Sequence, residues 1–192
     1  MRLLTDLHEV DGALTRRAAS RIPPGVAKVL SVVEESAEST KLWCGVAAVM
    51  AWKGGWRGRR AAAAGVGALV VAQLVSNGLG KQLADRPRPP AEWIPHDEVA
   101  DRPDSSSFPS GHTAAAVAFT AAVAPTWPAA GVLCAVPAAM VAVERVQSGA
   151  HYPSDVAAGA AVGLAGAWLT RRVPALFLRS RLQPSGFLRH WG

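Results

Sequence analysis

Cysteines and extended basic tracts are what this sequence most clearly lacks. It contains only Cys44 and Cys134, and both lie in apolar blocks, where a cysteine is usually a small buried hydrophobe. We therefore expect no disulfide and no metal site. The formal net charge is +6, yet the basic residues do not form a long tract with interleaved aromatics. This absence argues against a nucleic-acid partner.

A linker and the apolar core of a signal peptide are also missing. No Ser/Gly-rich stretch or change of composition divides the 192 residues, so we predict a single unit. Ionisable side chains occupy the first ten residues, where a signal peptide would be apolar: Arg2, Asp6, His8 and Glu9. Membrane insertion is therefore expected to depend on the apolar segments that follow.

Apolar residues make up 50% of the chain and are concentrated in blocks. A helix needs about 20 mostly apolar residues to cross a bilayer. The clearest block is 61–80, and three more, completed by flanking residues, lie at 112–125, 129–143 and 155–170. A shorter block at 42–52 needs residues from about Glu38 onward to span. The predicted fold class is all-α, a polytopic transmembrane helix bundle of about five to six spans.

The N-terminal segment has a different pattern. Between residues 3 and 36 apolar and charged positions alternate, and Pro23 and Pro24 interrupt the pattern. This is typical of an amphipathic helix in the membrane interface, the alternative being a distorted or re-entrant sixth span. We predict three regions: an interfacial segment at 1–40, a membrane-embedded domain at 41–172 and a basic cytoplasmic tail at 173–192.

Two basic clusters indicate the orientation in the membrane. They are Lys53, Arg57, Arg59 and Arg60 before the clearest block, and Arg171, Arg172, Arg179 and Arg181 after the last one. Basic residues accumulate in cytoplasmic connections. If both clusters are cytoplasmic, the segments 81–110 and 144–154 lie together on the outer face. We expect a multi-pass protein of the cytoplasmic membrane.

Both outer segments carry cations that this orientation bias does not explain. Lys81 and Arg88 lie in the first segment and Arg145 in the second. A single residue of this kind is usually a snorkelling anchor. Three on one face are better suited to an anion, because phosphoryl transfer requires cations around the nonbridging oxygens.

A short polar motif, Pro109-Ser110-Gly111-His112, precedes one apolar helix. Ser110 is a suitable N-cap and Gly111 permits close backbone approach, so amide groups and the helix dipole can receive an anion. A plain helix cap would explain the Ser-Gly pair alone. His112, in the first helical turn, is placed to donate a proton to a leaving group.

His151 and Asp155 are four residues apart, at a helix start that contains Pro153. This spacing predicts that both side chains share one face, so Asp155 can hold one imidazole nitrogen and leave the other free to attack phosphorus. Zinc held by two histidines and an aspartate is the alternative. The three nearby cations would repel a metal ion, so we favour direct phosphate binding.

In order, Lys81-x6-Arg88-Pro89, Pro109-Ser110-Gly111-His112 and Arg145-x5-His151-x3-Asp155 resemble the signature of the type 2 phosphatidic acid phosphatase superfamily of integral membrane lipid phosphatases. The resemblance covers about residues 61–170. It implies that His151 forms a phosphohistidine, that Asp155 orients it, and that His112 protonates the departing oxygen and later activates water. It further implies catalysis without a metal ion or other cofactor. The implied phosphate-binding residues are Lys81, Arg88, Ser110, Gly111 and Arg145.

Two motif positions need separate interpretation. The family often has serine before the third-motif arginine, whereas this chain has Glu144, which either weakens phosphate binding or orients Arg145; we leave it out of the predicted site. Arg86-Pro87 offers a second register for the first motif, but the spacing from Lys81 selects Arg88, and Arg86 is kept only as a second substrate contact. Among Ser105, Ser106, Ser107 and Ser110, only the last lies inside a motif.

The predicted function is hydrolysis of a lipid phosphate or prenyl (di)phosphate at the outer membrane face. Two alternatives stay open: transfer of the phosphoryl group to a second alcohol, and a non-catalytic protein that binds or transports anionic lipids. The last would not need His151. The vanadium-dependent haloperoxidases have a similar site, but they are soluble.

The expected partners are the lipid phosphate substrate and membrane lipids. The loop at 90–107 is either a lid over the site or a solvated loop.

Overall fold

A computed structural model describes residues 2–38, 40–80, 82, 84–94 and 105–182, and these residues form helices and loops with no strand. The predicted all-α class is therefore confirmed. The helices are α1 (Arg2–Arg21), α2 (Pro24–Glu38), α3 (Lys41–Lys53), α4 (Gly55–Gln73), a π-helical continuation of α4 (Leu74–Gly80), a 3-10 turn (Ala91–Trp93), α5 (Gly111–Val123), α6 (Pro128–Gln147) and α7 (Pro153–Leu182).

The N-terminal segment forms two helices that are separated by Ile22 and Pro23, as the proline pair predicts. Helix α2 packs on α6, and α1 packs on both α6 and α7. Both helices expose apolar side chains beside their exposed charged ones, with about half of each side chain accessible at Leu7, Val10, Leu14, Val26, Val29 and Val32. Such a mixed, amphipathic surface suits the membrane interface, where we continue to expect this segment to lie.

Two predicted boundaries around α3 are wrong. The block at 42–52 does not extend helically back to Glu38, because Thr40 has a left-handed backbone (φ 58°) that separates α2 from α3. The predicted connection between residues 53 and 60 is a turn at Gly54, and the helix resumes at Gly55, which has φ 56°. Glycine adopts that conformation without the steric cost that a Cβ would bring.

Helices α5 and α7 cross at glycines, and small residues let helix backbones approach closely. A Cβ added to Gly159 would lie 2.4 Å from the Ser110 carbonyl oxygen, and one added to Gly163 would lie 2.6 Å from that of Ala114. The backbone N–H of Ser110 donates to the Asp155 carbonyl at 3.0 Å. This close approach brings the start of α5 against the start of α7.

By length and composition, two of the described helical stretches could cross a membrane, Gly55–Gly78 and Pro128–Gln147, and Gly111–Val123 is a shorter apolar helix. A short turn joins α5 to α6, since α5 ends at Val123 and α6 begins at Pro128. The end of α4, the starts of α5 and α7 and the end of α6 meet at one end of the bundle. The start of α4 and the α5–α6 turn lie at the opposite end, where Arg57 Nε donates to the Thr126 carbonyl at 2.7 Å.

Candidate active site

A cavity of about 340 Å³ opens where these helix ends meet. Its lining contains five residues that the sequence predicted for the site, Arg88, Gly111, His112, Arg145 and His151, together with Glu38, Gln73 and Asn77. Three segments that are distant in sequence therefore converge on one cavity. Lys81, the remaining predicted cation, lies outside the described residues, as do residues 95–104, which make up most of the loop at 90–107.

His151 lies in the loop before α7 and is 4% exposed. Its Nδ1 is hydrogen-bonded to the Ser107 carbonyl oxygen at 2.5 Å. A carbonyl can only accept, so Nδ1 carries the proton and Nε2 keeps the lone pair of a neutral imidazole. Burial lowers the pKa of His151 well below its ordinary value, and the positive charge of Arg88 lowers it further. The imidazole is therefore neutral at physiological pH, with an unprotonated Nε2.

Asp155 does not make the contact with His151 that the sequence predicted. Its Oδ2 accepts from the Tyr152 backbone N–H at 2.8 Å, and its Oδ1 accepts from Arg86 Nη1 at 2.6 Å. The reason is that α7 begins only at Pro153, so His151 precedes the first turn and the four-residue spacing does not stack the two side chains. The orienting group seen for His151 is the Ser107 carbonyl.

The sequence does not mark Ser107 as a site residue, because it lies outside the motifs. It is fully buried, its backbone N–H donates to the Arg86 carbonyl at 2.9 Å, and its Oγ donates to the Pro87 carbonyl at 3.2 Å. These bonds fix the Ser107 backbone, and with it the carbonyl that holds His151. Nothing in the local sequence distinguishes Ser107 from Ser106.

The two arginines of the first motif have different surroundings. Arg88 lines the cavity, and its Nη1 donates to the Ala150 carbonyl at 2.7 Å, on the loop that carries His151. Arg86 is absent from the lining and binds two buried carboxylates instead, those of Asp155 and Asp11, at 2.6 and 2.7 Å. The spacing argument that selected Arg88 therefore agrees with the geometry, whereas the Arg86 guanidinium is bound to carboxylates outside the cavity lining.

Asp11 of α1 is the second element of this cluster and was not expected from the sequence. It is 3% exposed, its Oδ1 accepts from the Ser154 backbone N–H at 3.0 Å, and its Oδ2 accepts from the Ser154 hydroxyl. The N-terminal helix is thereby fixed to the first turn of α7. In the sequence Asp11 is one of several charges in an amphipathic pattern, and nothing local marks it as buried.

Ser110 is the N-cap of α5, as predicted, because its side chain accepts from the Thr113 backbone N–H. It is fully buried and lies behind Gly111 and His112, which line the cavity. A Cβ on Gly111 would lie 2.9 Å from Asn77 Oδ1, so glycine keeps the start of α5 close to the π-helical end of α4. The first amides of α5 are thus placed at the cavity, where an anion would be stabilised.

Two glutamates hold Arg145. Its Nε donates to Glu144 Oε2 at 2.6 Å, and its Nη2 lies 2.9 Å from Glu34 Oε1. The first contact favours the interpretation that Glu144 orients Arg145. The second was not expected from the sequence, because Glu34 is one of several charges in the alternating pattern between residues 3 and 36. Burial raises the pKa of Glu34 to about 7, and the charge of Arg145 opposes that shift.

Comparisons with known proteins place these motifs in a family. A family model described as the PAP2 superfamily matches residues 61–178. Lipid A 1-phosphatase of Rhizobium johnstonii is 41% identical over 88 residues, which are 42% of this chain and 34% of that protein, and its counterpart from Rhizobium etli is 39% identical over the same length. The chain therefore matches about a third of the length of these relatives.

Solved structures with the same fold include a transmembrane PAP2-type phosphatidylglycerolphosphate phosphatase from Bacillus subtilis, with a TM-score of 0.66, 20% identity and coverage of 89% of this chain and 87% of that one. LpxE from Aquifex aeolicus has a TM-score of 0.61 at 20% identity, covering 83% and 93%. The family match extends over more than half of the chain and includes all three motifs. This protein therefore belongs to the PAP2 superfamily.

Proposed function

We propose that this protein is a membrane lipid phosphatase that hydrolyses a lipid phosphate through a phosphohistidine at His151. The observation that carries the proposal is that His151, neutral and held through Nδ1, lines one cavity with Arg88, Arg145 and His112. A nucleophile, an acid and two cations are the groups that metal-independent phosphoryl transfer needs. Membership of the PAP2 superfamily supports the same activity.

The first step is phosphorylation of the protein. The guanidinium groups of Arg88 and Arg145 bind nonbridging oxygens, for which their planar forks are suited. His151 Nε2 attacks phosphorus, a P–N bond forms, and the P–O bond to the lipid breaks. His112 gives its proton to the departing oxygen, so the lipid alcohol leaves uncharged.

The second step returns the protein to its starting state. His112, now neutral, takes a proton from a water molecule as that water attacks the phosphohistidine. The P–N bond breaks, inorganic phosphate leaves, and His151 recovers its lone pair. In this scheme Ser107 and Asp155 are positioning residues: Ser107 holds His151, and Asp155 holds Arg86 and the Tyr152 backbone.

The substrate proposed is a phosphomonoester or diphosphate of a membrane lipid, a class that includes phosphatidic acid, phosphatidylglycerol phosphate, prenyl diphosphates and lipid A phosphates. The named activities of the relatives favour a phosphorylated lipid headgroup. We further propose the cytoplasmic membrane as the location, with the cavity on its outer face, since the basic clusters lie at the other end of the bundle. The three-region division at residues 40 and 172 is part of the same proposal.

The test is release of phosphate by detergent-purified protein in EDTA, over a panel of these lipids, for the parent chain and His151→Ala. The matched control is His8→Ala, which removes a histidine outside the cavity lining. We expect release that persists in EDTA, survives in the control and is lost in His151→Ala. An acid-labile, alkali-stable phosphoryl group on His151 during turnover would identify the intermediate.

Three results would overturn the proposal. Loss of activity in EDTA, restored by zinc, would indicate a metal enzyme. Phosphate transferred to an added alcohol with none released to water would indicate a phosphotransferase. Anionic lipid bound by a folded protein that releases phosphate from none of the panel would indicate a lipid-binding protein.

A further inference from the structure

A second and larger cavity, of about 990 Å³, lies at the end of the bundle opposite the active site. It is formed by the start of α4, the end of α5 with the turn that follows it, and the middle of α7, and its lining includes Trp56, Arg57, Arg60, Trp168, Arg171 and Arg172. We propose that this cavity binds the phosphate headgroup of an anionic phospholipid from the leaflet opposite the active site.

The charge around this cavity is of one sign. Four arginines line it and no carboxylate does. All 14 acidic residues of the chain lie at 6–38, 85–104, 144 and 155, so residues 39–84, 105–143 and 156–192 contain none. The segments that build this end of the bundle therefore carry no internal counter-ion. An external anion is the partner that this charge distribution favours.

Three of the arginines are held in place by the chain itself. Arg57 Nε donates to the Thr126 carbonyl at 2.7 Å. Arg60 lies over the Trp56 ring at 5.3 Å from its centroid, and Arg172 lies over the Trp168 ring at 5.4 Å. In such stacking the flat face of the guanidinium contacts the tryptophan ring. The N–H groups lie in the guanidinium plane and stay available to donate hydrogen bonds. Such edges are suited to bidentate phosphate recognition.

The remaining lining favours a lipid over a soluble anion. Trp56 and Trp168 are 70% and 58% exposed, and tryptophan is enriched at membrane–water interfaces because it has an apolar body and a polar N–H. Ala64 and Ala122 give the cavity an apolar wall next to the arginines. A phosphate beside the guanidinium groups would leave the glycerol and upper acyl chain against this wall.

The simplest competing explanation is that the arginines are unspecific cytoplasmic anchors. The chain offers a direct control, because Arg59 lies on the same turn of α4, is exposed and is absent from the cavity lining. Arg59→Gln and Arg60→Gln remove the same charge from adjacent positions. Only the second removes a donor from the cavity.

The experiment measures lipid binding to His151→Ala protein, which keeps phosphatase chemistry out of the measurement. Native mass spectrometry and thermal unfolding in detergent would compare added phosphatidylglycerol, phosphatidylcholine and inorganic phosphate. We expect phosphatidylglycerol to bind and to raise the unfolding temperature, with phosphatidylcholine having little effect. Arg60→Gln and Arg171→Gln should each weaken phosphatidylglycerol binding about tenfold, equivalent to about 1.4 kcal/mol, while Arg59→Gln should not.

Equal weakening by Arg59→Gln would show that net charge alone acts and would overturn the proposal. Equal stabilisation by inorganic phosphate would indicate a site for a soluble anion and would overturn the lipid assignment. A cavity variant that unfolds at a lower temperature even in phosphatidylcholine is destabilised independently of phosphatidylglycerol. For such a variant, the number of phosphatidylglycerol molecules bound per protein, measured by native mass spectrometry, tests the proposal. A failure here leaves the active-site proposal untouched, because the two cavities share no residue.

Discussion

The Glu34 carboxylate lies 2.9 Å from Arg145 Nη2, and the same oxygen lies 3.7 Å from His112 Nε2. An acidic group from α2 therefore contacts both the cation and the histidine to which the proposed mechanism assigns the substrate phosphate. A carboxylate in this position holds the two groups as a phosphate oxygen would. If a phosphate binds to Arg145 and His112, the Glu34 side chain must therefore either move away or be protonated.

Glu34→Gln is expected to strengthen inhibition by inorganic phosphate or vanadate, because it removes a negative charge that competes for Arg145. We expect the inhibition constant at pH 8 to fall about tenfold, or about 1.4 kcal/mol, with KM for the substrate falling in parallel. The matched control is Glu35→Gln, since Glu35 is an exposed neighbour on the same helix. Weaker inhibition in Glu34→Gln would instead identify Glu34 as a group that supports anion binding.

Glu34 should also make stability depend on pH. Its pKa is raised from 4.5 to about 7 in the folded protein, by burial first. The folded state therefore holds the proton more tightly than the unfolded state, and stability falls as pH rises from about 4.5 to about 7. The charged groups that act on it are Arg145, which opposes the shift, and Glu144, Glu38 and Glu35, which add to it, with His112 close by.

The measurement is the unfolding temperature of the parent chain and Glu34→Gln across this pH range. We expect the variant to gain stability relative to the parent between pH 4.5 and 7, and the difference to be constant above that. The pH profile of Glu35→Gln should follow that of the parent closely, because Glu35 contributes least among the charges that act on Glu34. A difference that does not change with pH would contradict the raised pKa.

Replacing Arg86 is expected mainly to lower stability, whereas replacing Arg88 is expected mainly to raise KM. Arg86→Gln leaves the buried carboxylates of Asp11 and Asp155 without their shared cation, which costs on the order of 3 kcal/mol. Arg88→Gln removes a cavity cation and should raise KM much more than it lowers the unfolding temperature. Thermal unfolding and steady-state kinetics on both variants check this. Similar stability losses in the two would show that Arg88 is also chiefly structural.

The motifs predicted most of the charged residues and histidines that line the cavity. Each motif is a local sequence pattern, so its residues can be recognised without knowing the fold. Spacing alone selected Arg88 over Arg86, and the helix cap predicted the geometry of Ser110. The sequence did not reveal Ser107, because Ser107 holds His151 through its backbone carbonyl, a group that every residue has. Glu34 was missed because an acidic residue in an amphipathic helix is usually solvated, and only the packing of α2 on α6 buries it.

Asp155 shows the limit of spacing arguments. Four residues separate it from His151, but that distance has the expected geometry only when both lie within the helix. The helix starts at Pro153, and the carboxylate caps the Tyr152 N–H while binding Arg86. Applying helical spacing to His151, which precedes the first residue of the helix by two positions, was enough to assign Asp155 a partner that the structure does not show.

Gly159→Ala should alter the geometry of the active-site cavity, although Gly159 does not line that cavity. The added Cβ would lie 2.4 Å from the Ser110 carbonyl oxygen, so the start of α5, with His112, has to move away from α7. We expect a loss of about 1–3 kcal/mol in stability and a lower kcat. Gly166→Ala is the control, because its Cβ would meet the nearest atoms at 3.5 Å, an ordinary contact. Equal kcat values for the two variants would show that the α5–α7 distance does not set the reaction geometry.

His112→Ala should separate the two chemical steps. If His112 protonates the leaving group, lipid phosphate hydrolysis should fall about 10²–10⁴-fold, whereas p-nitrophenyl phosphate, whose phenolate leaves without a proton, should still phosphorylate His151. Because the same variant lacks the base that activates water, the phosphohistidine should accumulate. Rapid-quench kinetics should then show a burst of one nitrophenolate per protein, absent in the His151→Ala control. Equal losses with both substrates and no burst would mean that His112 binds phosphate but transfers no proton.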